Sequence, residues 1–224
     1  MRIGVFRNFK ALHFIRCVAT VPGSDIRVGG AGFTLHQALS KCESEAIERE
    51  FEVQELRPLA LIPLGIASHP TRDGARARAL QEMIETLCLR EVHREKRIRC
   101  IFRIRFRSFA IGVARTSHGY FCLIRGKGAD RMVGSHAAAP KFLSAVIKAW
   151  EEYQSMQFFR PKGRDLAEYM KANQLFSSDE LAQIPFEREP GFVYRPDLQG
   201  TKEHSVERSG RPVVYYLKQG ENTR

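Results

Sequence analysis

Residues 28–49 read VGGAGFTLHQALSKCESEAIER and join a glycine-rich segment to a helix that carries two glutamates. Thr34 and Gln37 form a capping box, because the Thr34 side chain can accept from the Gln37 backbone while Gln37 reaches back to the helix start. The stretch therefore predicts a glycine-rich turn over 28–33, followed by a helix over about 35–53.

Two carboxylates on this helix, Glu45 and Glu48, stand one helical turn apart, with Arg49 beside the second. Like charges at this spacing repel and cost a helix about 0.2–0.5 kcal/mol. A solvated surface tolerates that cost, whereas a site for a divalent cation uses the two carboxylates together.

The same pattern recurs twice further along the chain. Three predicted helices carry glutamates that can be aligned, namely Glu45, Glu82 and Glu152. Each of these glutamates is preceded by an alanine at seven residues and by a small residue at three residues. A basic residue stands four residues before each glutamate, namely Lys41, Arg78 and Lys148. A loop with glycine or histidine precedes each helix, and the free N–H groups of a helix N-terminus suit anions. The sequence thus predicts three repeated units of a glycine-containing loop followed by a helix.

The glutamate pair recurs in the second copy as Glu82 and Glu85, while the third copy has Ser155 at the second position. Two such pairs could converge on Mg²⁺, a hard cation that prefers carboxylate and phosphate oxygens. The alternative is that these residues form i,i+4 ion pairs on a wet helix face. The repetition after each loop favours the metal site.

The rest of the chain predicts an α+β fold with a mixed or antiparallel sheet. Strands are predicted over 14–20 and 213–217, two more within 98–126, and long helices over 73–93 and 140–159. Short helices are predicted over 165–173 and 177–183, and a turn-rich segment over 185–209. Without a clear boundary, the sequence favours a single domain over 1–224.

Composition narrows the class of protein. The 224 residues are 43% hydrophobic and 27% charged, which is typical of a globular chain. The five cysteines are scattered and never in CxxC spacing, which argues against a disulfide framework and a zinc site. No stretch has the apolar length of a signal peptide or a membrane helix. We expect a cytoplasmic protein without a membrane partner.

The net charge of +11 favours acidic partners. Between Arg90 and Arg107 there are eight basic residues and two acids, so a nucleic-acid binder is one alternative. No aromatic stacking platform or recognised helix motif supports it, and nucleic acid is not the favoured partner. Arg103, Arg105 and Arg107 share one face of a predicted strand, which is either an exposed face or a place for phosphates or an acidic leader peptide.

These motifs resemble the YcaO-domain family. Gly30-Ala-Gly32 followed by Glu45-Ala-Ile-Glu48-Arg49 is similar to the family's first ATP motif, and Ile66–Glu85 resembles its second. The segment from Phe109 to Tyr153, with Gly134-Ser-His136, resembles the third block. The resemblance runs from about residue 26 to 217 and is weak over 160–209.

The resemblance implies an enzyme that uses ATP and Mg²⁺ to phosphorylate a backbone amide of a ribosomally made peptide, giving an azoline, thioamide or amidine. It implies four metal ligands, which are Glu45, Glu48, Glu82 and Glu85. It implies nucleotide-binding roles for a larger set, namely Gly30, Gly32, Lys41, Arg49, His69, Arg78, Glu152, Gln157 and Arg160. No catalytic residue is assigned.

The chain departs from the family pattern at several points. Lys41 stands where serine is usual, Thr86 replaces an arginine, Gln157 and Arg160 are closely spaced, and the proline-rich C-terminus of azoline-forming members is missing. These departures keep a second hypothesis open, a catalytically incomplete subunit that binds substrate beside a partner protein. Expected partners are a peptide substrate, a protein that completes the site or presents the peptide, and a second copy in a homodimer.

Overall fold

The computed structural model describes residues 3–8, 14–21, 26–127, 132–158 and 178–220. Its framework consists of strands that are each followed by a helix. The chain divides into two compact units, Met1–Leu80 with Gly200–Arg224, and Gln81–Gln199. The single-domain organisation over 1–224 stays a prediction. Within the described ranges, no helix is both long enough and apolar enough to cross a bilayer.

The first unit contains two antiparallel sheets. One has the order β1 (Ile3–Asn8), β2 (Phe14–Thr20), β3 (Arg27–Gly32), and the other has the order β12 (Thr201–Arg208), β13 (Arg211–Lys218), β4 (Gly65–Ser68). Helix α1 (Leu35–Phe51) packs on the first sheet through a core that includes Cys17, Ala38 and Cys42. The helix continues as a π-helical turn, Glu52–Leu56, and a 3₁₀ turn, Arg57–Leu59.

The second unit is built around one larger sheet and contains the C-terminal part of helix α2 (Arg72–Glu95). Strands β7 (Phe109–Thr116), β8 (Gly119–Lys127) and β9 (Met132–Ala139) pair antiparallel, and β6 (Phe102–Arg105) pairs antiparallel with β7. Strand β11 (Val193–Tyr194) pairs parallel with β7, and β5 (Ile98–Cys100) pairs parallel with β10 (Phe186–Arg188). Helix α3 (Phe142–Phe158) packs on one sheet face, and a short helix α4 (Ser178–Gln183) contacts β9.

The predicted glycine-containing loops are strands, so the repeated unit is a strand followed by a helix. The glycine-rich turn predicted over 28–33 is wrong, because these residues form most of β3. The second and third copies are β4 followed by α2, and β9 followed by α3. Gly30 is required in β3 because a Cβ there would lie 2.1 Å from the carbonyl oxygen of Ala38 in α1. Glycine therefore lets the helix backbone lie against the strand, although glycine weakens isolated strands.

The small residues of the repeat form the contact surfaces of the three helices. The alanines seven residues before the aligned glutamates are fully buried, namely Ala38, Ala75 and Ala145. The residues three before the glutamates are equally buried, namely Cys42, Ala79 and Ala149. The N–H groups of the three alanines bond to the carbonyls of Thr34, Thr71 and Lys141 at the helix starts. The recurrence of small residues is therefore explained by packing, because equivalent positions of the three helices are buried.

Most predicted elements are confirmed in the described residues. The capping box of Thr34 and Gln37 is present, and β2, α1, α2, α3 and β13 lie where the patterns placed them. The two strands predicted within 98–126 are four, β5 to β8, and the turn-rich segment predicted over 185–209 contains the eight-residue β12. The helix predicted over 165–173 lies outside the described residues.

Candidate functional site

The first glutamate of the repeat is held by an arginine on its own helix. Arg49 Nε lies 3.0 Å from Glu45 Oε1, and Arg49 Nη1 lies 2.5 Å from Glu52 Oε2. Glu52 is 1% exposed and also has Arg57 Nε at 3.9 Å from its other carboxylate oxygen. The Glu45 side chain remains 34% exposed, so Arg49 orients a carboxylate that solvent and ligands can reach. Sequence reasoning missed Glu52, although its i,i+3 spacing from Arg49 was visible.

The second glutamate of the first copy is buried and bonded to the backbone. Glu48 is 4% exposed, and its Oε1 accepts the N–H of Ser68 at 2.6 Å. Ser68 ends β4, the strand of the second copy. This bond fixes α1 to β4 and satisfies a buried donor whose loss would cost about 1–3 kcal/mol.

The second copy repeats this arrangement inside the second unit. Glu85 Oε2 accepts the N–H of Ala138 at 3.0 Å, and Glu85 Oε1 lies 2.6 Å from His136 Nδ1. Ala138 belongs to β9, the strand of the third copy. Ser68 and Ala138 each stand fourteen residues before their own aligned glutamate, so they are equivalent positions. In both copies the second glutamate thus bonds the strand of the next copy.

The contact with Glu85 affects the pKa of His136. Burial disfavours the charged ring, but the Glu85 charge and hydrogen bond, aided by Glu152, raise the pKa of His136 above its ordinary value. Phe121 stacks on the ring with centroids 6.3 Å apart. His136 therefore forms a charged pair with Glu85 when it is protonated.

His69 forms part of the N-terminal cap of α2. Its Nδ1 accepts the N–H of Thr71, and Thr71 Oγ1 accepts the N–H of Gly74 at 3.2 Å. Gly74 makes room for this packing, because a Cβ there would lie 2.0 Å from His69 Nδ1. Burial, together with the charges of Arg78 and Arg211, lowers the pKa of His69. The ring is therefore a neutral capping group, and its nucleotide role stays a prediction.

The other predicted nucleotide-binding residues are distributed over both units. Lys148 Nζ lies 2.7 Å from Gln81 Oε1, which bonds α3 to α2 within the second unit. Glu152 is exposed on α3. The Gln157 side chain and all of Arg160 lie outside what the structure describes. Their predicted roles, and those of Gly30, Gly32, Lys41 and Arg78, stay predictions.

The donor types fit a hard cation, but the described residues do not form a converged set within either unit. No group of three or more histidine, cysteine, aspartate or glutamate side chains is placed to hold a metal among the described residues. Glu45 and Glu82 are partly exposed carboxylates, the oxygen donors that Mg²⁺ prefers. Glu48 and Glu85 already bond to backbone N–H groups. The four metal-ligand assignments stay predictions.

Comparison with known proteins identifies solved structures that share this architecture. No protein-family model and no curated protein sequence matches the chain. The YcaO structure from Methanopyrus kandleri, bound with AMPPCP and Mg²⁺, superposes with a TM-score of 0.64 at 11% identity, covering 96% of this chain and 84% of that one. The E. coli microcin synthetase McbBCD complex matches with a TM-score of 0.60 at 9% identity, covering 96% and 86%. The chain therefore has the YcaO fold that its sequence motifs predicted.

Proposed function

We propose that this chain binds Mg²⁺ and ATP and activates a backbone amide of a peptide by phosphorylation. The single observation that carries the proposal is the recurrence of a glutamate pair at one position of successive strand–helix copies, Glu45 with Glu48 and Glu82 with Glu85. The M. kandleri neighbour was solved with an ATP analogue and Mg²⁺, which makes these the ligands to test. The product class, azoline, thioamide or amidine, follows from the nucleophile that adds.

The residues of the chain have separable roles in this proposal. Glu45 and Glu82 are the partly exposed carboxylates that would hold Mg²⁺, and Arg49 keeps Glu45 in position. Glu48 and Glu85 hold the strands that precede α2 and α3. Bound Mg²⁺ and ATP would supply the phosphoryl group and the positive charge that phosphoryl transfer needs. The contribution of the protein is then positioning and charge stabilisation.

A second candidate function is a subunit that binds peptide or partner without performing the transfer. It is favoured by the contacts of Glu85, because its two carboxylate oxygens already contact Ala138 and His136. It is also consistent with the E. coli neighbour, which was solved as a complex. A peptide substrate, a partner protein, a homodimer and a cytoplasmic location stay proposals for either function.

Calorimetric titration of AMPPCP with Mg²⁺ separates the two functions. The wild type is compared with Glu45→Gln/Glu82→Gln, and with Glu50→Gln/Glu91→Gln, which removes the same charge from the same two helices. We expect saturable binding by the wild type and the control, and loss of binding by the first variant.

Each other outcome has a meaning. Folded wild type that fails to bind at millimolar ligand would exclude a stand-alone ATP-dependent enzyme and favour the subunit. Equal binding by all three proteins would place the nucleotide away from these glutamates. Circular dichroism of each variant shows whether a loss of binding reflects unfolding.

A further inference from the structure

Strand β6 and the residues that follow it form an exposed edge of the second unit's sheet. All residues from 102 to 108 are exposed, and their sequence FRIRFRS alternates apolar and basic side chains. Phe102, Ile104 and Phe106 retain 43%, 38% and 45% of their exposed area. Large apolar side chains on an exposed edge strand favour pairing with another chain.

One backbone edge of β6 is bonded to β7, and the opposite edge is exposed. The N–H of Phe106 bonds the carbonyl of Phe109 at 2.7 Å, and the register pairs Ile104 with Ile111. Because the bonding direction alternates along an antiparallel strand, the N–H and C=O groups of Arg103 and Arg105 point away from β7. No strand among the described residues pairs with that outer edge.

The two faces of the edge differ in chemistry. The apolar face, formed by Phe102, Ile104 and Phe106, lies on the side of α3, where the Phe102 ring contacts Phe142 with centroids 5.7 Å apart. The arginine face, formed by Arg103 and Arg105, lies on the opposite side because side chains alternate along a strand. A chain that extended this sheet would therefore meet positive charge on one face and apolar groups on the other.

Ion pairing divides the basic run of residues 90–107 into two parts. Three arginines before β6 have carboxylate partners at 2.5–2.9 Å, in the pairs Arg94–Glu91, Arg97–Glu187 and Arg99–Glu95. Arg103 instead donates to the neutral carbonyl of Phe186 at 2.9 Å. Among the described residues, no carboxylate lies within ion-pair distance of Arg103, Arg105 or Arg107. The net positive charge of the run is therefore concentrated at the edge.

A neighbouring arginine strengthens the charge of this face. Arg125 lies across β7 from Arg105, since both pair with Ala110, and it donates to the carbonyl of Ile184. Burial, and then the charge of Arg105, lower the pKa of Arg125. Arg105 and Arg125 are therefore close together, and no carboxylate of the described residues forms an ion pair with either, which favours an anionic occupant.

We propose that the outer edge of β6 binds an acidic peptide segment in extended conformation, with carboxylates on the arginine face and apolar side chains on the apolar face. A second copy of this chain is disfavoured, because antiparallel pairing of two β6 edges would set arginine opposite arginine. A nucleic acid would use the arginines but leave the outward N–H and C=O groups of the strand unpaired. The inference goes beyond nucleotide binding and is tested without nucleotide.

The first test measures fluorescence anisotropy of a labelled decapeptide that alternates glutamate and valine. A peptide of the same composition, with all glutamates before all valines, is the sequence control. We expect the alternating peptide to bind more tightly, and the Arg103→Gln/Arg105→Gln variant to bind it about tenfold more weakly. Arg188→Gln/Arg195→Gln removes the same charge from exposed positions elsewhere in the unit and should retain affinity. Arg105→Gln alone keeps the bond of Arg103 and should show part of the loss in a fully folded protein.

The second test concerns the backbone pairing. Two versions of the peptide carry N-methyl groups, one on its glutamates and the other on its valines. Alternate N–H groups of an added strand face the protein, so only one version should lose affinity. Equal effects of the two methylations would overturn the strand pairing. Equal binding of the alternating and block peptides, or tighter binding of a single-stranded RNA that the arginine variant loses, would overturn the acidic-peptide assignment.

Discussion

The carboxylate of Glu48 accepts the backbone N–H of Ser68 at 2.6 Å while only 4% of the glutamate is exposed. This places a helix of one copy in direct hydrogen-bond contact with the strand of the next. The contact has a structural reason that does not depend on any ligand. Stability and ligand binding can therefore be measured separately at this position.

We expect Glu48→Ala to lower the free energy of unfolding by about 1–3 kcal/mol, because it leaves the buried N–H of Ser68 without an acceptor. Glu48→Gln keeps an acceptor oxygen and should lose clearly less. Urea unfolding of both variants provides the measurement, and Glu50→Ala on the same helix should change stability by under about 0.5 kcal/mol. Equal losses in the alanine and glutamine variants would contradict the hydrogen-bond role.

Gly30→Ala should destabilise the first unit by at least about 2 kcal/mol, because overpacking forces the backbone of α1 away from β3. The new Cβ would lie 2.1 Å from the carbonyl oxygen of Ala38 and 2.3 Å from the backbone nitrogen of Cys42. Gly29→Ala is the matched control, since its Cβ would meet the Cys17 carbonyl oxygen at an ordinary 3.6 Å. Thermal unfolding of the two variants should differ markedly, and similar values would argue against close strand–helix packing.

The pair formed by His136 and Glu85 predicts a pH-dependent contribution to stability. Burial disfavours the charged ring, but the charge and hydrogen bond of Glu85, together with the charge of Glu152, raise the pKa of His136 in the folded chain. The stabilisation is therefore fully present below the unfolded pKa and is lost as the pH rises through the folded pKa. We expect the stability advantage of wild type over His136→Gln to shrink between pH 6 and pH 9 in urea unfolding. A substitution at the exposed His118 is the control, and an advantage that stayed constant with pH would contradict the pairing.

The helices could be predicted from the sequence because their signals are local. The Thr34 capping box and the buried small residues at fixed spacing, such as Ala38 and Cys42, place α1 without tertiary information. The strands that were missed have misleading local signals. Strand β3 is rich in glycine because of its contact with α1, and β12, TKEHSVER, is polar at every position except Val206.

The candidate site was predictable only in part, because its contacts depend on tertiary packing and not on local sequence. The alignment of Glu45 with Glu82 predicts repeated carboxylates, but it does not reveal which backbone groups they contact. The N–H donors at Ser68 and Ala138 depend on how one copy packs on the next. Their equal spacing of fourteen residues before the aligned glutamates was the one signal in the sequence that pointed to them.

The bonds from Glu48 to Ser68 and from Glu85 to Ala138 also limit how such a chain can be rearranged. The first and second copies each supply an acceptor to the copy that follows, so neither the second nor the third copy contains all of its own hydrogen-bond partners. If β4 and α2 alone were grafted into another scaffold, the Ser68 amide would lose its acceptor and the Glu85 carboxylate would lose its donor. Divergence by shuffling or deleting single copies is thereby disfavoured, and change is expected to accumulate in connecting segments and on exposed edges.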